Sequence, residues 1–295
     1  MKKAATIVWF RRDLRLQDNP ALAAALERGA PIVPVYLFSP EEEGDWQPGG
    51  ASRWWLHHAL ASLRDALLEQ GLSLVLQRGA SLAGLRKLAA QSGADAVFWN
   101  RRYEPAIKAR DSDIKSALRE DGLEARSFNG SLMWEPHEIS TQNGDPYKVF
   151  TPFWKSVRAR PAPAPCPLPD TEWLGLDNPP AGCDLDALAL LPTLDWADDF
   201  AERWTPTLEG ATAALEEFLD GPIKGYPDRR NHPARKGTSR LSPYLASGQL
   251  GPRQVWAAVH AAGAADSQAG YKFLSEIGWR EFAYHLLVHF PKTPD

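Results

Sequence analysis

The chain has 295 residues, 33 Lys and Arg against 37 Asp and Glu, a formal net charge of −4 and 44% hydrophobic residues. That length exceeds one usual domain and can bury a large core, while no stretch approaches the roughly 18 uninterrupted apolar residues of a membrane span. Cys166 and Cys183 lack a CxxC or Cys/His pattern, which excludes a disulfide framework and a zinc site, and the overall charge demands that any nucleic-acid face be local.

Residues 6–10, 31–38, 72–76 and 94–99 are short runs rich in β-branched and aromatic side chains, the pattern of buried parallel strands. Between them lie helical patterns at 19–28, with Asp18 or Asn19 as cap before Pro20, at 51–70, where Leu56, Leu60, Leu63 and Leu67 recur at three and four, and at 81–91 and 106–120. This alternation predicts an α/β doubly wound parallel sheet with ligands beyond the carboxyl ends of its strands. The basic start of the chain runs into Arg11, Arg12 and Asp13 with no small-residue cleavage site, so it reads as a first strand and not a signal peptide, and a cytoplasmic protein is expected. No G-x-G-x-x-G comes after that strand, so a dinucleotide site is unsupported; the Arg11 to Arg15 turn reads as surface ion pairing.

From about Arg158 to Asp199 the composition shifts to Pro, Ala and Asp, which blocks helix and central strand and predicts an extended connector. Helical patterns return at 207–219, 241–246, 252–262 and 269–289. The domain expectation is therefore an α/β unit over 1–133, a connector over 134–200, and a helical unit over 201–295.

Chemistry concentrates in the helical unit. Lys224, Arg229, Arg230, Arg235, Lys236 and Arg240 face one acid, Asp228; on charge alone a solvated basic loop is the simpler reading. The same stretch runs on through Gly237, Thr238, Ser239, Arg240, Leu241, Ser242 and Pro243: a glycine for close approach, hydroxyls, a guanidinium, and the free amides of a helix start, a combination suited to phosphate. Glu276, Trp279, Arg280 and Ala283 fall at i, i+3, i+4 and i+7 of a helix, which predicts one face with a carboxylate, an indole and a guanidinium. By spacing alone, a core Trp flanked by an exposed ion pair is the simpler reading. Twelve tryptophans are unusual; most are expected in core or interfaces.

These segments resemble the photolyase and cryptochrome family. Trp9 to Pro20 is similar to its opening strand and turn, Tyr147 to Phe153 to its connector, Thr238 to Pro243 to its flavin phosphate loop, and Trp279, Arg280, Glu281 and Phe282 to its active-site helix. The resemblance implies an all-α FAD-binding domain of which only the first part is present. It implies that Tyr226, Thr238, Ser239, Arg240, Leu241 and Ser242 contact FAD. It also implies that Arg230, Glu276, Trp279, Arg280 and Ala283 meet UV-damaged DNA containing pyrimidine dimers, with Glu276 and Trp279 catalytic, in a monomer that is not membrane-bound.

Glu276 together with Trp279 is the combination of the family's cyclobutane-dimer enzymes, which implies light-dependent repair by an electron from reduced, excited FAD; the alternative is a blue-light photoreceptor that signals through a partner. Tyr103 and Glu104 keep half of the family's folate motif, while Ala106 and Ile107 lose the other half. The resemblance thus leaves the second, antenna chromophore open between a folate, which the lost half disfavours, a deazaflavin and none. The remaining flavin contacts, the electron-transfer tryptophans and any iron-sulfur ligands are expected beyond Asp295, in a longer form of the chain.

Overall fold

The computed structural model describes residues 3–293. Five parallel strands, β1 (Ala5–Phe10), β2 (Ile32–Phe38), β3 (Val75–Arg78), β4 (Ala94–Asn100) and β5 (Glu124–Phe128), form one sheet in the order β3-β2-β1-β4-β5. Four helices alternate with them: α1 (Pro20–Glu27), α2 (Gly50–Glu69), α3 (Ser81–Ser92) and α4 (Pro105–Glu120). This is the doubly wound arrangement the apolar runs predict.

The twofold repeat of a strand sorts its side chains onto two faces. Val8, Phe10, Tyr36, Phe38 and Phe98 pack with α1 and α2, whereas Ile7, Trp9, Val33, Val35, Val97 and Trp99 pack with α3 and α4. Both faces are covered, so the runs carry no polar alternation. Each such fully buried side chain contributes roughly 1.5–3 kcal/mol. Asn19 caps α1 by accepting the amide of Leu22 at 3.2 Å, with Pro20 opening the helix.

Three elements depart from expectation. Strand β5 has no counterpart among the apolar runs, because it is an edge strand whose exposed Glu124 and Arg126 alternate with buried Ala125. The third strand also begins later than residue 72. Within the expected connector, α5 (Phe150–Arg158) is a regular helix with Phe153, Trp154 and Val157 buried; Pro152 is tolerated because it lies in the first turn.

The proline-rich stretch beyond α5 is extended but is packed as a strap. Cys183 donates its amide to Leu76 O at 2.8 Å beside the edge strand β3, and Leu174 O accepts the amide of Ile32 at 2.7 Å. The Arg11 to Arg15 turn also differs from the expected surface pairing. Arg11 is buried against Asp111 and the Asn100 carbonyl. Arg15 is buried too, and donates to Gly248 O at 2.9 Å and Gly130 O at 2.7 Å. It thereby ties the sheet's first loop to the helical part; only Arg12 keeps substantial exposure.

The rest is helical: α6 (Phe200–Arg203), α7 (Leu208–Leu219), α8 (Tyr226–Arg229), α9 (Ser242–Ser247), α10 (Pro252–Ala261) and α11 (Gln268–His289). Thr207 caps α7 and Ser267 caps α11. The core of this part is continuous with the α1/α2 side of the sheet, through Leu215, Phe218, Tyr226, Phe273 and Ile277. Among the described residues no helix is long and apolar enough to cross a membrane.

Candidate functional site

Helix α11 buries Phe273, Ile277, Gly278 and Phe282 and leaves Lys272, Trp279 and Ala283 exposed with Glu276 half-buried. Trp279 is 47% exposed, a large apolar surface left open beside charged groups. Its indole is not unsupported. Phe150, the first residue of α5, lies beneath it with ring centroids 3.7 Å apart and planes 11° apart, and Trp154 continues the stack beyond Phe150 at 6.1 Å. The sequence pattern found Trp279 but missed Phe150, which lies on another element; the only signal was its place in the Tyr147 to Phe153 segment.

Glu276 forms an ion pair with Arg230, and Lys272 approaches the same carboxylate at 3.7 Å. Arg230 also lies 3.4 Å from the Tyr226 hydroxyl, with its guanidinium 5.3 Å over the Tyr226 ring. The hydrogen bond to Glu276 holds the Arg230 guanidinium above its ordinary value in spite of partial burial, whereas burial pushes the Tyr226 phenol up. Tyr226 is fixed by edge contacts with Phe218 and Phe273. Arg230 and Glu276 thus present a donor and an acceptor side by side, one turn from Trp279.

The Arg280 guanidinium is drawn away from that face. It donates to Ser131 O at 2.8 Å and pairs with Glu281 at 3.3 Å, over the ring of Tyr284. Arg280 stands about 40° of helix rotation from Glu276, on the side away from Trp279, and its side chain reaches the segment after β5. On the helix side that carries Glu276, Trp279, Arg280 and Ala283, the open surface thus comes from Glu276, Trp279 and Ala283, while the Arg280 guanidinium is held by Ser131 and Glu281. Glu281 joins the same junction by accepting the Met133 amide at 2.8 Å.

Gly237 sits against α8: a Cβ there would lie 2.4 Å from Arg229 O, so only glycine permits this approach. Beyond it Thr238, Arg240 and Ser242 are exposed. Arg240 adopts the left-handed region with φ 54°, stacks 3.9 Å over Trp204 and donates to Arg203 O at 3.2 Å. The Leu241 side chain is buried, so only its backbone can reach a ligand. Outward hydroxyls, the uncapped amides at the start of α9 and a nearby guanidinium form a donor set that fits a diphosphate.

A cavity of about 600 Å³ opens at the carboxyl ends of β1 and β2, the place a doubly wound sheet reserves for ligands. Tyr36, Trp46, Trp54, Trp55, Phe200 and Trp204 give it aromatic walls, while Arg11, Arg12, Arg102 and Arg110 lie at its polar side. Tyr103 and Glu104 do not line it. Burial opposes the charge of Glu104, but Arg102 and Arg12 overcome this and hold its carboxyl down to about 2. Tyr103 donates to Glu135 at 3.0 Å. The polar groups of that pair are spent inside the protein.

The sequence model of the DNA photolyase family matches residues 6–170. The chain is 46% identical to a deoxyribodipyrimidine photo-lyase of Agrobacterium fabrum, covering 99% of this chain and 61% of that protein. It is 34% identical to Cryptochrome-1 of Arabidopsis thaliana, covering 97% and 43%. The crystal structure of a bacterial class III photolyase from Agrobacterium tumefaciens superimposes with a TM-score of 0.93 at 45% identity, covering 99% of this chain and 60% of that one. The chain thus spans about three-fifths of the length of these photolyase relatives and less of the cryptochrome. With its matched domain, its parallel sheet and its helical part, the chain belongs to the DNA photolyase family.

Proposed function

We propose that this chain serves light-dependent repair of cyclobutane pyrimidine dimers in DNA, as a cytoplasmic monomer using FAD. The observation that carries the proposal is the exposed Trp279 ring, backed by Phe150 and set one turn from the Glu276–Arg230 pair. A dimer already weakens stacking in its duplex and is cheaper to flip out than an intact base pair. Trp279 would receive it on a flat, pre-positioned face. Glu276, as a carboxylate, would accept the imide N–H groups, and Arg230 would donate to the carbonyl oxygens where negative charge gathers on electron uptake.

Thr238, Ser239 and Ser242, with the Leu241 backbone and Arg240, would hold the FAD phosphates, with Tyr226 alongside. Reduced FAD, when bound and excited, supplies one electron that returns after the two cyclobutane bonds open, so repair is redox-neutral. The aromatic cavity above β1 and β2 supports a second chromophore: its walls suit a planar ring. Its chemistry suits a deazaflavin or a folate.

The test is blue-light-dependent loss of dimers from an irradiated oligonucleotide incubated with the reduced protein. Dimer loss in the light but not in the dark is expected. Flavin photoreduction without dimer loss would transfer the chain to a signalling role of the cryptochrome kind. The absorption spectrum of the purified protein checks the cofactors, with a flavin band and a second near-ultraviolet or blue band expected.

A further inference from the structure

We propose that Trp204 couples the two cofactor sites: it positions Arg240 of the flavin phosphate loop, and a planar ligand in the cavity above β1 and β2 tightens FAD binding by fixing Trp204. This rests on the cofactor reading above. Trp204 belongs to both places. Its side chain lines the cavity, and the Arg240 guanidinium lies 3.9 Å over its ring. Helix α9 separates the same two places, since Pro243, Ala246 and Ser247 line the cavity while the loop from Thr238 leads directly into that helix.

The backbone of Arg240 depends on this contact. Its φ of 54° lies in the left-handed region, which is costly for a residue that carries a Cβ. Two interactions hold it there, the stack on Trp204 and a hydrogen bond donated to Arg203 O at 3.2 Å. Both come from one short segment at the end of α6. Stacking occupies the face of the guanidinium and leaves N–H groups in its plane for phosphate oxygens. Tyr244 donates to Thr205 O at 3.0 Å and so ties that segment to α9.

The cavity side of Trp204 is held more loosely. Trp55 meets the indole edge-on, with centroids 5.5 Å apart and planes at 72°, and the ring is only half-buried beside a space of about 600 Å³. An indole next to open volume can turn into it, and Arg240 then loses its stack and relaxes from the left-handed region. A flat ligand that fills the cavity removes this freedom. Such a ligand binds the state with Trp204 seated, which is also the state that presents Arg240 to the FAD phosphates. Each ligand therefore strengthens the other by the same factor. Coupling factors commonly start at about fivefold, the size expected for one shared side chain.

The experiment titrates FAD into the 295-residue protein, followed by flavin fluorescence, without and with saturating 5-formyltetrahydrofolate or, separately, 5-deazariboflavin. Quenching of tryptophan fluorescence reports occupation of the cavity. In the wild type the bound probe should lower the Kd for FAD by about fivefold. Trp204→Ala should raise that Kd in the absence of probe and remove the probe's effect; any competition for the flavin site persists in this variant and is thereby separated. Trp204→Phe, which keeps a flat ring, should retain the effect. Arg240 is exposed, so Arg240→Ala tests the coupling without disturbing the core: the probe should still bind but no longer tighten FAD. A wild-type Kd for FAD that is the same with and without bound probe, or a cavity that takes up neither probe, would overturn the coupling and leave the FAD reading standing. A wild-type protein that does not bind FAD would overturn both.

Discussion

The rings of Trp279 and Phe150 lie 3.7 Å apart at the centroids and 11° from parallel, and Trp279 keeps about half of its surface open. Base stacking on an aromatic side chain is worth about 1–3 kcal/mol per base. Trp279→Ala should therefore weaken binding of dimer-containing DNA by about 5- to 150-fold while leaving binding of intact duplex nearly unchanged. Fluorescence anisotropy with the two duplexes checks this. Because the side chain is exposed on the outer side, the melting temperature should move little, and a large drop in it would point to a core role instead.

The Glu276–Arg230 pair allows a sharper separation of stability from chemistry. Both side chains keep about a quarter of their surface open, and pairs so placed are worth at most about 1 kcal/mol to the fold. Glu276→Gln should thus cost little stability but lower repair yield per bound dimer by tenfold or more. Arg230→Ala/Glu276→Gln should lose less than the sum of the two single losses, because each group orients the other. Quantum yields on saturated substrate measure this, and strict additivity would contradict a joint action of the pair.

Glu281 predicts a pH dependence. Burial pushes its carboxyl up to about 7, against the pull of Arg280 and the amides of Met133 and Trp134. In the unfolded chain the same group ionises as an ordinary glutamate, near pH 4 to 5. Between those values the folded protein holds a proton that the unfolded chain has released, so stability falls as pH rises from about 4.5 to about 7. The gap corresponds to about 3 kcal/mol. Glu281→Gln keeps an acceptor for the Met133 amide and removes the titration. The stability of the wild type relative to this variant, from urea midpoints at about pH 5 and about pH 7.5, should decline over that interval, and a constant difference would remove Glu281 as the cause.

The sheet was legible because strands buried on both faces leave unbroken apolar runs, as at Ile7, Val8 and Trp9. Strand β5 was not, since an edge strand with Glu124 and Arg126 facing solvent has no such run. Helical spacing alone brings Glu276 and Trp279 together on α11. The partner of each is tertiary: Arg230 and Phe150 reach them from α8 and α5, across 46 and 129 residues of chain. Spacing places Arg280 beside Glu276 on the helix but does not reveal that Ser131 and Glu281 claim its guanidinium. The cavity was the least visible feature. It is assembled from side chains between Trp9 and Ser247, and no local pattern joins them.

Gly278 decides how closely α5 can approach α11. Alanine in a helix is ordinarily favoured over glycine by about 1 kcal/mol. Here a Cβ would lie 2.5 Å from the Cε3 and Cζ3 atoms of Trp154, a buried ring that also meets Trp256 at 6.1 Å and has little room to retreat. Overpacking of this kind costs about 1–3 kcal/mol, so the clash outweighs the propensity gain. Gly278→Ala should lower the melting temperature by a few degrees, and it should also weaken dimer binding, because Trp154 supports Phe150 and Phe150 supports Trp279. Replacing Trp154 by Leu in the same chain frees the space, so Gly278→Ala should destabilise a Trp154→Leu background less than it destabilises the wild type. Calorimetry on the four proteins measures both steps, and an equal shift in the two backgrounds would mean that Trp154 is not what glycine accommodates.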